Sequence, residues 1–418
     1  MRNEWLLGPF TQIVTMEGIP ASGPISDERL KVIHDAGLVL RDGEIRTVLH
    51  AEAFRTWKRR AEHRLISVDE ETVLLPGFID SHTHMCYAGS RLDDYLARLS
   101  GLDYGEIAVR GGGILSTVRA TKAASQKELE RGLAERAREH LVRGITTAEV
   151  KSGYGLDART ELKMLRAIRG VERSRGLHPK LVPTFLAAHA LPPRVSEKDH
   201  LAGMLPLLAK VKAENLSSRV DAWVDKGAFS AGPASKFLFA AKRLGFDITV
   251  HADQFSPGGS DVAVRVGAVS ADHLEVSTDS ILRKMSSKHI AATVLPGSSI
   301  GLGEPFAKAR KMLDAGLPLV IASDWNPGTA PSGELLAQAS ALGAAQRLTA
   351  AETLAAITCR AAAVLRLGDR GAIRAGSVAD LVGFPCRRYE EIVYRQGALR
   401  PSFVMRAGGL VDTCDRSA

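Results

Sequence analysis

Apolar and polar positions alternate on two scales along this chain of 418 residues. Between about residue 73 and residue 365, short apolar runs of strand length are separated by longer stretches whose apolar positions recur on a helical period. The strand-like runs are 73–79, 146–150, 180–186, 218–224, 247–251, 268–272, 291–295 and 318–322. The helix-like stretches include 126–143, 160–175, 234–244, 278–286, 305–315 and 350–365. Eight strands alternating with helices predict an α/β fold, a (β/α)8 TIM barrel. The competing open doubly wound sheet lacks support, because no Gly-x-Gly-x-x-Gly follows an early strand.

The two ends follow another rhythm. Leu38-Val39-Leu40 and Glu44-Ile45-Arg46-Thr47-Val48 flank Asp42-Gly43, a strong hairpin signal. Short apolar runs with Gly-bearing turns return at Gly371-Ala372-Ile373, 379–384, 402–405 and 409–411. The expected organisation is therefore a small β-sandwich domain formed from both chain ends, 1–75 and 366–418, with the barrel, 76–365, inserted between them.

Composition narrows the class. Hydrophobic residues make up 45% and charged residues 24%, as in an ordinary globular protein. A net charge of +8 raises the question of a polyanion partner. The cations are interspersed with acids along helix-like stretches, and the densest cluster, Arg55-Thr56-Trp57-Lys58-Arg59-Arg60, is short. That pattern reads as a solvated face, so no nucleic-acid partner is expected. No apolar run reaches about 18 residues and no export-signal pattern opens the chain, so neither membrane insertion nor secretion is expected. Cys86, Cys359, Cys386 and Cys414 are widely spaced and form no Cys-x-x-Cys pair, which fits a reducing cytoplasm.

The chemistry lies at the ends of the strand-like runs. The first run leads into His82-Thr83-His84. Side chains alternate faces on extended backbone, so His82 and His84 can aim two imidazoles at one point. Neutral imidazole is the commonest metal ligand. Further runs carry or lead to Glu149, His189, His251 (followed by Asp253 and Gln254), His273 and Asp324. A barrel gathers such residues at the C-terminal ends of its strands. His82, His84, His251 and Asp324 make a plausible set around one divalent ion, which would make water nucleophilic near neutral pH. Taken singly, His189 and His273 are equally consistent with hydrogen-bonded core residues, and Asp324 with a helix cap. Arg91, shortly after the His-x-His motif, offers planar bidentate recognition of a carboxylate. Tyr154, in a Gly-flanked turn, can add a hydroxyl donor, and Arg110-Gly111-Gly112-Gly113 can bring backbone N–H groups close to a ligand.

The run Pro76-Gly77-Phe78-Ile79-Asp80-Ser81-His82-Thr83-His84 resembles the signature of the amidohydrolase superfamily. Longer blocks are similar to its imidazolonepropionase family, which acts in histidine degradation. They are 111–121, 149–156 (Glu149-Val150-Lys151-Ser152-Gly153-Tyr154-Gly155-Leu156), 184–190, 251–254, 270–275 and 323–328. The resemblance implies a distorted barrel, one zinc or iron ion, a homodimer, and hydrolysis of 4-imidazolone-5-propanoate to N-formimidoyl-L-glutamate. It implies His82, His84, His251 and Asp324 as ligands, and Arg91 and Tyr154 as the carboxylate clamp. It places His189 at the ring carbonyl, with Gln254, Asn326, Gly328 and Thr329 lining the rest of the pocket. Asp324 or His273 would then carry the proton. The chain departs from the pattern at Gln254, where some members have Glu. It departs again at Ala188, at Trp325 and in Ala222-Trp223-Val224-Asp225-Lys226. A related cyclic amidohydrolase, or a deaminase of an aromatic base, is the alternative. A deaminase has no need of the Arg91–Tyr154 clamp.

Overall fold

The computed structural model describes residues 4–59, 64–68, 71–102 and 104–412. Arg60 and Cys414 lie outside the described residues. The amino-terminal region supplies β1 (Glu4–Val14), β2 (Val32–Arg41), β3 (Glu44–Leu49), β4 (Arg64–Ser67) and β5 (Thr72–Pro76). There follow β6 (Phe78–Asp80), β7 (Ile145–Lys151), β8 (Lys180–Ala188), β9 (Arg219–Val224), β10 (Asp247–Ala252), β11 (Ser270–His273), β12 (Ala291–Val294) and β13 (Leu319–Ile321). The chain ends in β14 (Leu381–Pro385), β15 (Phe403–Arg406) and β16 (Gly409–Val411).

The strands form two eight-stranded sheets. One runs β6 to β13 in sequential order with every neighbour parallel, the layout of a (β/α)8 barrel. Its last strand returns to its first just beyond the strand ends. Asp324 N–H donates to the His82 carbonyl (3.1 Å), His84 N–H donates to the Trp325 carbonyl (2.9 Å), and Thr83 bridges Trp325 in parallel. Asp80 braces this seam, accepting from Ser323 N–H at 3.0 Å and from His140 Nε2 at 3.0 Å. The barrel therefore closes through the residues that carry the candidate chemistry.

The other sheet joins the two chain ends, in the order β16-β15-β14-β5-β1-β2-β3, with β4 beside β1. The Asp42-Gly43 hairpin forms as the sequence predicts, both residues at positive φ. Both chain ends contribute strands to this one sheet. Residues 376–379 strap β3, with Ile45 N–H donating to Ser377 O and Ala379 N–H to Gly43 O, both at 2.8 Å. A separate apolar cluster fills the fold, with Leu7, Phe10, Ile13, Leu38, Leu381, Phe403 and Met405 buried together.

Three expectations about elements need correction. The run 73–79 is not one strand. Thr72–Pro76 pairs in the end sheet and Phe78–Asp80 in the barrel, with Gly77 as the joint. A Cβ at Gly77 would stand 2.2 Å from Thr146 Oγ1, so no side chain fits where the chain passes between sheets. His82 and His84 consequently follow the strand rather than sit on it. The stretch 350–365 is two helices, Ala350–Ala356 and Cys359–Val364. They part where the Ile357 carbonyl accepts from Ile79 N–H at 2.8 Å instead of continuing a helical ladder. In 305–315 only Ala309–Asp314 is α-helical.

The barrel helices otherwise follow their pattern. In Gln126–Val142 the buried Leu129, Leu133, Ala137 and Leu141 fall every fourth residue, and Ser125 with Glu128 forms a capping box. The helix Glu197–Ala213 has no counterpart in the pattern reading and runs on through Pro206, a residue that ordinarily argues against a helix interior. No described helix is long and apolar enough to cross a membrane.

Candidate metal and substrate site

His82 and His84 keep the alternation of extended backbone. Thr83 between them turns the other way, its hydroxyl donating to the Glu149 carbonyl (2.6 Å) and its N–H to Glu149 Oε2 (3.2 Å). His251 arrives from β10. The ligand atoms of His82, His84 and His251 all lie within 4.8 Å of one another, and all three residues are buried. His84 Nε2 is 3.3 Å from His82 Nε2 and 3.3 Å from His251 Nε2. Asp324 Oδ1 stands beside them, 3.6 Å from His82 Nε2 and 3.4 Å from His84 Nε2.

The far edges of two rings face carboxylates. His82 Nδ1 donates to Asp272 Oδ2 at 2.7 Å, and His251 Nδ1 is 3.0 Å from Asp221 Oδ2. A carboxylate accepts, so the Nδ1 of His82 carries the proton and its Nε2 keeps its lone pair, and the charge of Asp221 favours the same tautomer at His251. Burial, then Lys151 and neighbouring imidazoles, hold the His82 pKa well below the usual histidine range. Burial followed by His189 and His251 does the same for His84. His251 is also lowered, burial outweighing the opposite pull of Asp221. The Nε2 atoms of His82 and His251 thus each face His84 Nε2 across 3.3 Å, a convergence of nitrogens that suits a cation between them. Three imidazoles and one carboxylate fit a divalent ion of the zinc or iron type.

Asp324 is pushed up to about 7 by burial, against the pull of His273. His273 packs its ring 5.5 Å from that of His251, and Glu275 Oε1 lies 3.6 Å from its Nδ1. For His273, burial lowers the pKa but Glu275, Asp324 and Asp272 outweigh it, so the net shift is upward.

His189 stacks on His84, ring centroids 4.9 Å apart. Burial pulls its pKa down to about 3, and its Nδ1 donates to the Gly153 carbonyl at 3.0 Å. A neutral imidazole with its proton on Nδ1 leaves Nε2 as an acceptor. In that tautomer Nε2 cannot donate; a donor role at the ring carbonyl, as the resemblance implies, needs the ring doubly protonated. The neutral tautomer can instead accept from a ring N–H.

Tyr154 places its ring 5.2 Å from His189 and 6.0 Å from His84. Its turn hangs from one buried carboxylate. Glu161 Oε2 accepts from Gly153 N–H (3.0 Å), and its Oε1 from Gly155 N–H (2.7 Å) and Leu156 N–H (3.1 Å). Arg91 opens the helix Leu92–Leu99, and its Nε donates to Asp94, which also accepts from Gly113 N–H at 2.9 Å. The far side of the guanidinium faces Gly328, where a Cβ would come within 2.8 Å of Arg91 Nη1. Asn326 shapes that approach, its Oδ1 accepting from Gly328 N–H and Thr329 N–H, both at 2.8 Å, and its Nδ2 donating to the Asp324 carbonyl at 2.7 Å. Gln254 is tied elsewhere. Its amide donates to Ser298 Oγ at 3.2 Å and its backbone N–H to Asp225 at 2.7 Å. Arg110 is exposed.

The pattern reading missed Asp221, Asp272, Glu161 and Asp94, which contact the candidate ligands and the segments of the candidate clamp. Each works through partners that strand order or a loop brings near, and Asp272 is 190 positions from His82. The available signals were the acid placed next to His273 and the acid three residues after Arg91.

The sequence profile of the Amidohydrolase family matches residues 73–411. Imidazolonepropionase of Bacillus cytotoxicus is 38% identical over 98% of this chain and 96% of its own. Imidazolonepropionase of Symbiobacterium thermophilum is 40% identical over 96% of this chain and 95% of its own. The chain belongs to the imidazolonepropionases of the amidohydrolase family. Among solved structures, a zinc-bound adenosine deaminase from Xanthomonas campestris superposes with a TM-score of 0.70 at 17% identity, covering 97% of this chain and 92% of that one. An A. niger ochratoxinase gives 0.69 at 16%, over 98% and 95%. At those identities the likeness of this amidohydrolase to them is one of fold. The superfamily depends on metal, and the three-histidine group is where this chain offers a metal its ligands.

Proposed function

We propose that this amidohydrolase opens the cyclic amide of 4-imidazolone-5-propanoate to give N-formimidoyl-L-glutamate, with one divalent ion, zinc or iron, held by His82, His84, His251 and Asp324. The observation that carries the reading is the joining of two poles by one turn. Asp324 stands against His82 and His84, and the turn that follows it presents Gly328 to Arg91. A substrate with an amide at one end and a carboxylate at the other fits such a site. The relatives' name, imidazolonepropionase, supplies a substrate of that description.

When bound, the ion supplies a Lewis acid for the ring carbonyl and a means of making water nucleophilic near neutral pH. Arg91, its Nε edge held by Asp94, turns its terminal nitrogens to the propanoate. Tyr154, on the turn that Glu161 holds, flanks the same substrate. Neutral His189 accepts a ring N–H at Nε2 and so fixes the orientation of the ring. The water oxygen bonds to the carbonyl carbon and the ring C–N bond breaks. One water proton passes to the leaving nitrogen, and the other is lost as the new carboxyl ionises. Asp324 and His273 are the groups placed to carry the transferred proton. A cytoplasmic homodimer is the expected setting, and the thiols of Cys86, Cys359 and Cys386 suit a reducing compartment.

The test is metal analysis of the purified protein with an assay on freshly generated imidazolonepropionate. One ion per chain with turnover is expected. A metal-loaded protein that leaves this substrate untouched would remove the substrate assignment. At matched metal content, Asp324→Asn and His273→Ala separate the two proton carriers. An unchanged kcat and pH profile in the His273 variant would leave Asp324 alone in the role.

A further inference from the structure

Lys151 ends β7 beside the candidate site, with its side chain fully buried. A buried ammonium is costly unless surrounded by partners. Its partners here are the groups that hold the histidines. Its Nζ lies 2.8 Å from Glu149 Oε1 and 2.8 Å from Asp221 Oδ2. That same Asp221 oxygen is 3.0 Å from His251 Nδ1. The other oxygen of Glu149 accepts from Thr83 N–H at 3.2 Å, and Lys151 N–H donates to the Thr83 carbonyl at 2.9 Å. Thr83 is the link between His82 and His84. One buried cation therefore touches both supports, the one beneath the His-x-His segment and the one behind His251.

Charge argues the same way. Glu149, Asp221 and Asp272 are all buried around the cluster. Without a cation between them, their mutual repulsion would drive these side chains apart. Burial pulls the Lys151 pKa down, but Asp221, Glu149 and Asp272 outweigh it and raise it, so the ammonium persists across the working pH range.

We propose that Lys151 is a positioning residue for the metal ligands, its ammonium locking Asp221 onto His251 and Glu149 onto the His82–His84 segment so that the imidazoles converge before an ion arrives. The proposal rests on the metal-site reading above. It acts through the carboxylates and requires no contact between Lys151 and substrate.

The experiment titrates Zn2+ into the metal-free full-length chain in competition with a chromophoric chelator, for the parent, Lys151→Met, Asp221→Asn and the double variant. Methionine keeps length and loses charge. Folding is followed by circular dichroism. Removing a group that orients a ligand typically weakens metal binding about 10- to 100-fold. Each single variant is expected to do so, and the double variant to add little to either, because both break one path. Folded Lys151→Met binding Zn2+ within about twofold of the parent would overturn the proposal. Independent, multiplying losses in the double variant would overturn it as well. Should Lys151→Met fail to fold, Asp221→Asn decides, since unchanged Zn2+ affinity there would break the path at its second step. A parent that binds no Zn2+ would instead sink the metal-site reading itself.

Discussion

The two poles of the candidate site are built by opposite means. The histidine pole is made of buried side chains that follow one barrel strand or lie on another, and two of its rings face carboxylates distant in sequence, His82 facing Asp272 and His251 facing Asp221. The arginine pole is made of loops and a helix start, and its supports are mostly local. Asp94 is three residues from Arg91, and Asn326 holds residues two and three positions on. Rigid strands suit a constellation that must converge on one ion, whereas a clamp for a carboxylate tolerates a looser frame. Failure at the first pole should abolish the chemistry. Failure at the second should weaken binding.

The largest expected effect breaks the histidine pole. His84→Ala removes the nitrogen that lies 3.3 Å from both other imidazoles, and kcat should fall by about a thousand-fold or more as metal is lost. Metal content measured beside activity checks this, and a variant that keeps both would end the distinction. Next in size is Arg91→Lys, which keeps the charge and loses the planar fork. It should lower kcat/KM roughly 30- to 100-fold, mainly through KM, with metal content unchanged. A fall confined to kcat would move Arg91 into the chemical step.

The smallest effect concerns pH. The folded pKa of His189 is depressed to about 3 by burial, while the unfolded chain titrates near the usual histidine value. Its contribution to stability is complete above about pH 6.5 and is lost as pH falls towards 3. His82, His84 and His251 are lowered too and act in the same direction in the metal-free protein. Glu161, raised to about 7 by burial, and Asp324 act oppositely, stabilising most at low pH. The contribution of His189 is therefore read as a difference. Between pH 6.5 and 4.5, metal-free His189→Asn should lose stability less steeply than the parent, by about 1 kcal/mol per pH unit in chemical denaturation. Parallel slopes would show that His189 takes up its proton as readily in the folded chain as in the unfolded one.

Much of this was legible beforehand because side-chain periodicity is local. The strands β7 to β13 fall on the apolar runs, three of which lead to His251, His273 and Asp324, and Asp42-Gly43 turns where its chemistry requires. Other features were illegible for equally physical reasons. Nothing in Val73–Ile79 announces that two sheets share it, because Gly77 is needed only when Thr146 packs against it. Nothing near His189 reveals its tautomer, because that depends on a carbonyl 36 residues away. Lys151 reads as one more charge after a strand until Asp221 and Glu149 close on it.

The sequence by itself determined the alternation of strands and helices, the residue types at the strand ends and the resemblance that follows from them. These depend on neighbours along the chain and on chemistry carried by single side chains. Only the tertiary structure decided which nitrogen of each imidazole points inward, which acids orient them, and that the barrel closes through His82–His84 and Asp324–Trp325. Those outcomes depend on contacts between residues far apart in the chain, whose free energies exist only once the barrel has closed.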